Sequence, residues 1–258
     1  MKPLPLRSSL ELLIGLAIIL APASAFAQEV TLIAPGGLRC ATDKLIPTLE
    51  RATGHTVKVT IGSGGTTHQQ VVKGEPFDIP VVQPPYQDVL DSGNVIAASE
   101  TPIATVAVAV AVKKGSPHPD ISTADAVRKM LLAAKSINYT DGKGGLGGTA
   151  GISFDATLRK MGLYDEVQAK TKRPAGVSVA QSVGRGDVDL GITYESELVD
   201  PNVDIVGPLP RSISTPTALV GFVSSHAKAP QAAAEVLRWL TSPGAAAAIK
   251  SCGMQPGN

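Results

Sequence analysis

Four short segments of the 258-residue chain combine glycine with hydroxyl or charged side chains, and each has the makings of an anion site. In Ala34-Pro-Gly-Gly-Leu-Arg39 the backbone at Gly36 and Gly37 can approach a ligand closely. Arg39 adds a planar guanidinium able to bind a carboxylate or oxyanion through two parallel hydrogen bonds. In Gly62-Ser-Gly-Gly-Thr-Thr-His68 the hydroxyls of Ser63 and Thr66 flank the backbone amides around Gly64, a cradle for a tetrahedral oxyanion or a carboxylate. No Gly-Lys-Ser/Thr follows, so this is not a nucleotide-phosphate loop. Gly147-Gly-Thr-Ala-Gly151 places Thr149 to cap a helix and to donate to a ligand, beside the amides of Ala150 and Gly151. Thr193-Tyr-Glu-Ser196 offers the phenolic O–H of Tyr194. Each segment also has a plainer explanation: an ordinary turn with a surface arginine, a flexible glycine loop, or a tyrosine that belongs to the core.

Bond-making chemistry has thinner support. The chain has no Gly-x-Ser-x-Gly elbow and no His-Glu-x-x-His, and His55, His68, His118 and His226 lack metal-ligand spacing. No catalytic residue, metal or cofactor is therefore assigned. Only His68 lies in a candidate loop, where solvation is its simpler role.

These segments need elements to hold them, and the hydrophobic pattern supplies strands alternating with helices. Apolar strands are predicted at 30–34, 56–61 and 77–82, with helices at 39–53, 66–73 and 85–92 between and after them. One long strand is predicted at 105–113. Further strands follow at 136–139, 189–193, 203–206 and 218–224, with helices ending near Ala134, at 152–161, 178–185 and 230–240. The fold class is α/β with parallel sheets, in two lobes: 28–104 together with 215–258, and 105–214. The candidate loops then fall where strands end and helices begin, the usual ligand edge of such sheets.

Composition narrows the partners. With 23 Lys+Arg against 22 Asp+Glu there is no basic field for nucleic acid, and four Phe, four Tyr and one Trp make poor stacking platforms. Lys2 and Arg7 precede an apolar run from Leu12 to Ala21 and the small-residue exit Ala25-Phe-Ala27, so residues 1–27 read as a secretory signal peptide. No later apolar run is long enough to insert into a membrane. In an exported chain Cys40 and Cys252, the only cysteines, can form a disulfide; buried free thiols are the alternative.

Arg51-Ala-Thr-Gly-His-Thr-Val, Gly62-Ser-Gly-Gly, Lys73-Gly-Glu-Pro-Phe-Asp78 and Val183-Gly-Arg-Gly-Asp-Val-Asp-Leu-Gly-Ile-Thr-Tyr194 resemble the periplasmic molybdate-binding proteins of ABC transporters. The resemblance implies a type II periplasmic binding fold, two doubly wound lobes joined by two crossover strands that close on a ligand by hinge motion. It also implies a periplasmic monomer that hands a small anion to a membrane permease, with Ser63, Tyr194 and amides near Ala150 at the site. The chain departs from that family in having Gly36-Gly37 where a serine is usual, and in Arg39, which favours a carboxylate. Those departures, with Pro119-Asp-Ile-Ser-Thr and Asp204-Ile-Val-Gly-Pro-Leu-Pro210, are similar to a divergent branch that includes periplasmic aconitate isomerase. That branch implies an alternative, a cofactor-independent isomerase of an unsaturated polycarboxylate, for which Glu195 and His68 are the available proton carriers.

Overall fold

The computed structural model describes residues 27–143 and 147–257. The expected leader lies outside them except for Ala27. The chain opens with β1 (Glu29–Pro35), α1 (Arg39–Thr53), β2 (Thr56–Gly62), α2 (Gly64–Val72), β3 (Ile79–Val82), α3 (Gln87–Asp91) and β4 (Thr101–Val106). It continues with β5 (Val108–Lys113), α4 (Ala124–Ala133), β6 (Ile137–Tyr139), α5 (Thr149–Met161), α6 (Tyr164–Ala169), α7 (Val179–Arg185), β7 (Leu190–Tyr194) and β8 (Val203–Pro208). It closes with β9 (Thr217–Gly221), α8 (Pro230–Leu240), α9 (Pro243–Lys250) and β10 (Met254–Pro256).

These strands form two sheets. The first has the order β10-β4-β9-β3-β1-β2, parallel across β3-β1-β2 and antiparallel elsewhere; the second is β6-β7-β5-β8, with β6 and β7 parallel. Val30, Leu32, Ile33 and Ala34 of β1 are all buried because helices cover both faces of that sheet, which explains a continuous apolar run in place of alternation. Helix α1 ends at Gly54 and α5 at Gly162, both left-handed at φ 74° and 65°, a conformation that glycine adopts without a Cβ penalty.

The run 105–113 is two strands, not one. It breaks at Ala107, where the chain leaves the first sheet for the second and the Ala107 carbonyl accepts the Glu195 amide at 3.0 Å. The apolar run continues through the break, with Val106 and Val108 buried on either side of a half-buried Ala107, so hydrophobicity alone could not mark it. The chain returns to the first sheet between Pro208 and Thr217. Helices α6 and α9 and strand β10 were not foreseen; the first and last are short, and the alanine-rich α9 has little contrast between its faces.

Two long-range ties hold the first sheet. Cys40 in the first turn of α1 and Cys252 before β10 form a disulfide across 212 residues. On the chain-entropy account, a loop of that size restrains the unfolded chain by about 5 kcal/mol. Buried Asp78 is the second: Oδ2 accepts from Thr31 N (2.8 Å) and Oγ1 (2.7 Å), and Oδ1 from Lys228 N (2.6 Å) and Ala229 N (3.3 Å). It thereby joins β1 to the start of α8. Burial raises its pKa, but the four hydrogen bonds outweigh that and leave it below the ordinary carboxylate value. Its contribution to stability is therefore complete above about pH 4 and is lost as pH falls through the folded value. Asp78→Ala should cost about 3 kcal/mol or more in urea unfolding at neutral pH, by leaving buried donors unmatched. Asp78→Asn should flatten the acid limb of the melting temperature against pH.

Candidate functional site

Strand ends from the two sheets meet face to face, and glycines set how closely. Gly64 opens α2 against Thr149, the first residue of α5: a Cβ on Gly64 would lie 1.9 Å from Thr149 Oγ1 and 2.7 Å from Gln83 Oε1. Across the same seam the Gly65 amide donates to the Gly147 carbonyl at 3.2 Å. The N-termini of α2 and α5 thus point at one another, with their partial positive charges converging. Beside them Tyr194, 2% exposed, stands at the end of β7 with its ring against Gly37. Burial raises its phenol to about 12; hydroxyls of Thr217 and Ser153 and the Gln83 amide lower it, while the charge of Glu197 adds to the rise. Ser196 Oγ donates to the Gly37 carbonyl at 2.7 Å and locks the two sides together.

Next to the seam lies a cavity of about 950 Å³. Gly36, Arg39, Asp43 and Lys44 form its first-sheet wall; Asn138 to Asp141 at the end of β6, Thr193 in β7, and Ser196 and Glu197 just after β7 form the wall opposite. The segment from Arg173 to Val179 borders it, bringing Pro174, Ala175, Val177 and Val179, and Val199 adds a further apolar surface. Arg173 is fixed in place: its Nε donates to the Tyr139 carbonyl at 3.1 Å and its guanidinium lies 4.1 Å over the Tyr139 ring. Lys44 is tied to Ser251 Oγ at 2.8 Å, whereas Arg39 is exposed. Glu197 is the lining acid that feels the Arg39 charge. Thr193 Oγ1 donates to its Oε2, and Thr140 Oγ1 lies 2.6 Å from Thr193 Oγ1. Because Thr193 spends its one proton on Glu197, Thr140 donates to Thr193. Enclosure raises the Glu197 carboxyl, and the Thr193 hydroxyl and the Arg39 charge only partly offset it.

Of the residues singled out in the sequence, Gly36 and Arg39 line the cavity, while Gly37, Gly64, Thr149 and Tyr194 build the seam. Ser63 caps α2, accepting from Thr66 N at 3.1 Å and donating to Thr66 Oγ1 at 2.8 Å. Thr149 does not cap α5; Gly148 takes that place, and Ala150 and Gly151 are buried in the first turn, where Gly151 packs on the Thr140 carbonyl. The two proposed proton carriers are elsewhere. His68 pairs with Asp88 at 2.8 Å, and Glu195 packs against Gly253 outside the cavity lining. Sequence reading missed Gln83, Arg173 and Glu197. Gln83 directly follows β3 and is 6% exposed, a polar residue at a strand end that could have been noticed. Among the described residues no cluster of His, Cys, Asp and Glu could hold a metal ion, and no helix is long and apolar enough to cross a membrane.

Residues 30–255 match the family model for the bacterial extracellular solute-binding proteins. Over 237 residues the chain is 32% identical to aconitate isomerase from a Pseudomonas species, covering 88% of this chain and 87% of that protein. Among solved structures, it is similar to the Azotobacter vinelandii periplasmic molybdate-binding protein, with a TM-score of 0.71 and 19% identity over 89% of this chain and 100% of that one. The sulfate-binding protein SubI from Mycobacterium tuberculosis gives a TM-score of 0.66 and 18% identity over 90% and 88%. These likenesses identify the fold as the type II periplasmic binding fold.

The seam makes one prediction. Gly64→Ala puts a methyl group into Thr149, so the variant should hold the two sheets further apart, seen as a larger radius of gyration in small-angle scattering. An unchanged profile would mean that the Thr149 side chain swings aside freely.

Proposed function

This chain belongs to the bacterial extracellular solute-binding protein family, and we propose that its cleft captures a small organic carboxylate between the two sheets for delivery to an ABC-type membrane permease. The observation that carries this reading is the pair Arg39 and Arg173, presented to one cavity from opposite sides. Two guanidiniums suit planar carboxylates held bidentately, and about 950 Å³ with an apolar border is far more room than a tetrahedral oxyanion needs. The facing N-termini of α2 and α5 add donors for an anion at the seam. An anion touching both sides would offset the mutual repulsion of these positive ends, and such two-sided contact is what drives closure.

In this reading residues 28–106 and 215–258 form one lobe and 107–214 the other, the boundary expected at 104 moving to the crossing at Ala107 so that β4 stays whole. Gly36, Gly37, Arg39, Ser63, Gly64, Thr66, Thr149, Ala150, Gly151 and Tyr194 belong to the ligand-binding surface, supplemented by Gln83, Arg173 and Glu197. The leader at 1–27 directs export, and one chain carries the whole cleft, consistent with a monomer. Thermal-shift titration should show stabilisation by citrate or trans-aconitate and little by molybdate or sulfate. Arg39→Ala should weaken the carboxylate by about 2 kcal/mol, some thirtyfold. A shift with molybdate alone would reverse the assignment.

A second reading, isomerisation of an unsaturated polycarboxylate without a cofactor, is favoured by Glu197, a proton-carrying group inside the cavity, and by the 32% identity to aconitate isomerase. Incubation with trans-aconitate and chromatography of the products tests it. Protein-dependent conversion, lost in Glu197→Gln, supports turnover; unaltered substrate leaves capture alone.

A further inference from the structure

An acid in a cavity assigned to an anion needs its charge accounted for. Glu197 ends the short 3-10 turn Glu195–Glu197 that follows β7, and its two oxygens face different ways. Oε2 is anchored on the second sheet by Thr193, with Thr140 behind it. Oε1 points across to the first sheet, 2.9 Å from where a Cβ on Gly36 would lie. Arg39 on α1 is the cation whose charge reaches it, and the phenol of Tyr194 is its buried neighbour from β7. The remaining charged groups around the cavity are Asp43 and Lys44 on α1, Asp141 after β6, and Arg173, with Tyr139 beneath it; Glu195 precedes it in the same turn.

An ionised Glu197 would be an acceptor at both oxygens and would repel a carboxylate arriving at Arg39, because Arg39, the guanidinium whose charge reaches Glu197, does not by itself neutralise two adjacent carboxylates. With a proton it becomes a donor. Oε2 already receives the Thr193 hydroxyl, which leaves Oε1 as the oxygen to carry that proton, on the side that faces the cavity. We infer that Glu197 is a specificity-determining residue, taking one proton from solvent when the cavity fills and sharing it through Oε1 with a carboxylate oxygen of the ligand, so that a polycarboxylate is captured together with a proton. No other bond forms or breaks. The enclosure that already raises this carboxyl works in the same direction. This inference rests on the organic-carboxylate reading above.

The test is calorimetric titration of the full chain with trans-aconitate between about pH 7 and about pH 8.5, where the free ligand's carboxyls are ionised, in two buffers of different ionisation enthalpy. The expected result is uptake of close to one proton per ligand bound, with affinity falling up to about tenfold per pH unit. Glu197→Gln keeps a donor toward the ligand and an acceptor for Thr193 but has no proton to gain. Its binding should show neither the uptake nor the pH slope. Wild-type binding without proton uptake overturns the inference and leaves the carboxylate reading standing. Uptake that persists in Glu197→Gln overturns it as well, by placing the proton on another group. Failure of both trans-aconitate and citrate to bind the wild type at any pH removes the carboxylate reading, and this inference with it. If the variant does not fold, the absence of uptake in the wild-type buffer comparison still overturns the inference.

Discussion

The arrangement of this molecule depends on how closely two backbones approach where the sheets face each other. At Gly64 there is no room for a methyl group beside Thr149, and at Gly37 the ring of Tyr194 takes the space a side chain would need. With the seam this tight, open volume is displaced to the flank, between the start of α1 and the ends of β6 and β7. Gly36 sits at that boundary, and the absence of a side chain there leaves Glu197 its position. A serine at Gly36 would press on the Glu197 carboxyl, and one at Gly37 on the Tyr194 ring. The cavity and the glycines are two aspects of one packing solution.

Charge is organised locally. The chain as a whole is close to neutral, so long-range steering contributes little, and attraction of an anion falls to oriented groups within a few ångströms. In the proposed reading, helix N-termini at the seam, Arg39, and an Arg173 held over the Tyr139 ring provide it. Their preorganisation matters more than their number, because a guanidinium already fixed in place loses less freedom when a ligand arrives.

Much of the fold was legible because α/β sheets write themselves in apolar runs and glycine stops: α1 and α8 fall where spacing and Gly54 or Pro230 put them. The crossing at Ala107 was not, since a strand that changes sheets without leaving the interior keeps the same hydrophobic signature. The glycine-rich turns were visible for a similar reason, as glycine marks close approach. Glu197 and Arg173 were invisible because nothing local distinguishes them from surface charges. Their roles come from elements distant in sequence, Gly36 and Thr140 for one and the face of Tyr139 for the other. Tyr194 was legible as a residue type at a strand end, but its burial between the sheets needed the tertiary structure.

The sheet topology has a consequence for the order of assembly. All strands of the second sheet lie between Val108 and Pro208, so that unit can pair as soon as this stretch of chain is available. The first sheet cannot: β4 lies between β9 and β10, both of which follow the second sheet in sequence. Its early half, β1, β2 and β3, must wait with an unpaired β3 edge and an exposed α1 until more than a hundred intervening residues have emerged. Long-range pairing of this kind is slow and prone to wrong partners. The Cys40–Cys252 bond can close only once the segment that delivers the last strand is available, since it joins α1 to that segment. That bond therefore adds a covalent tie between the first helix and the segment leading to the last edge strand, which is held by its own pairing with β4.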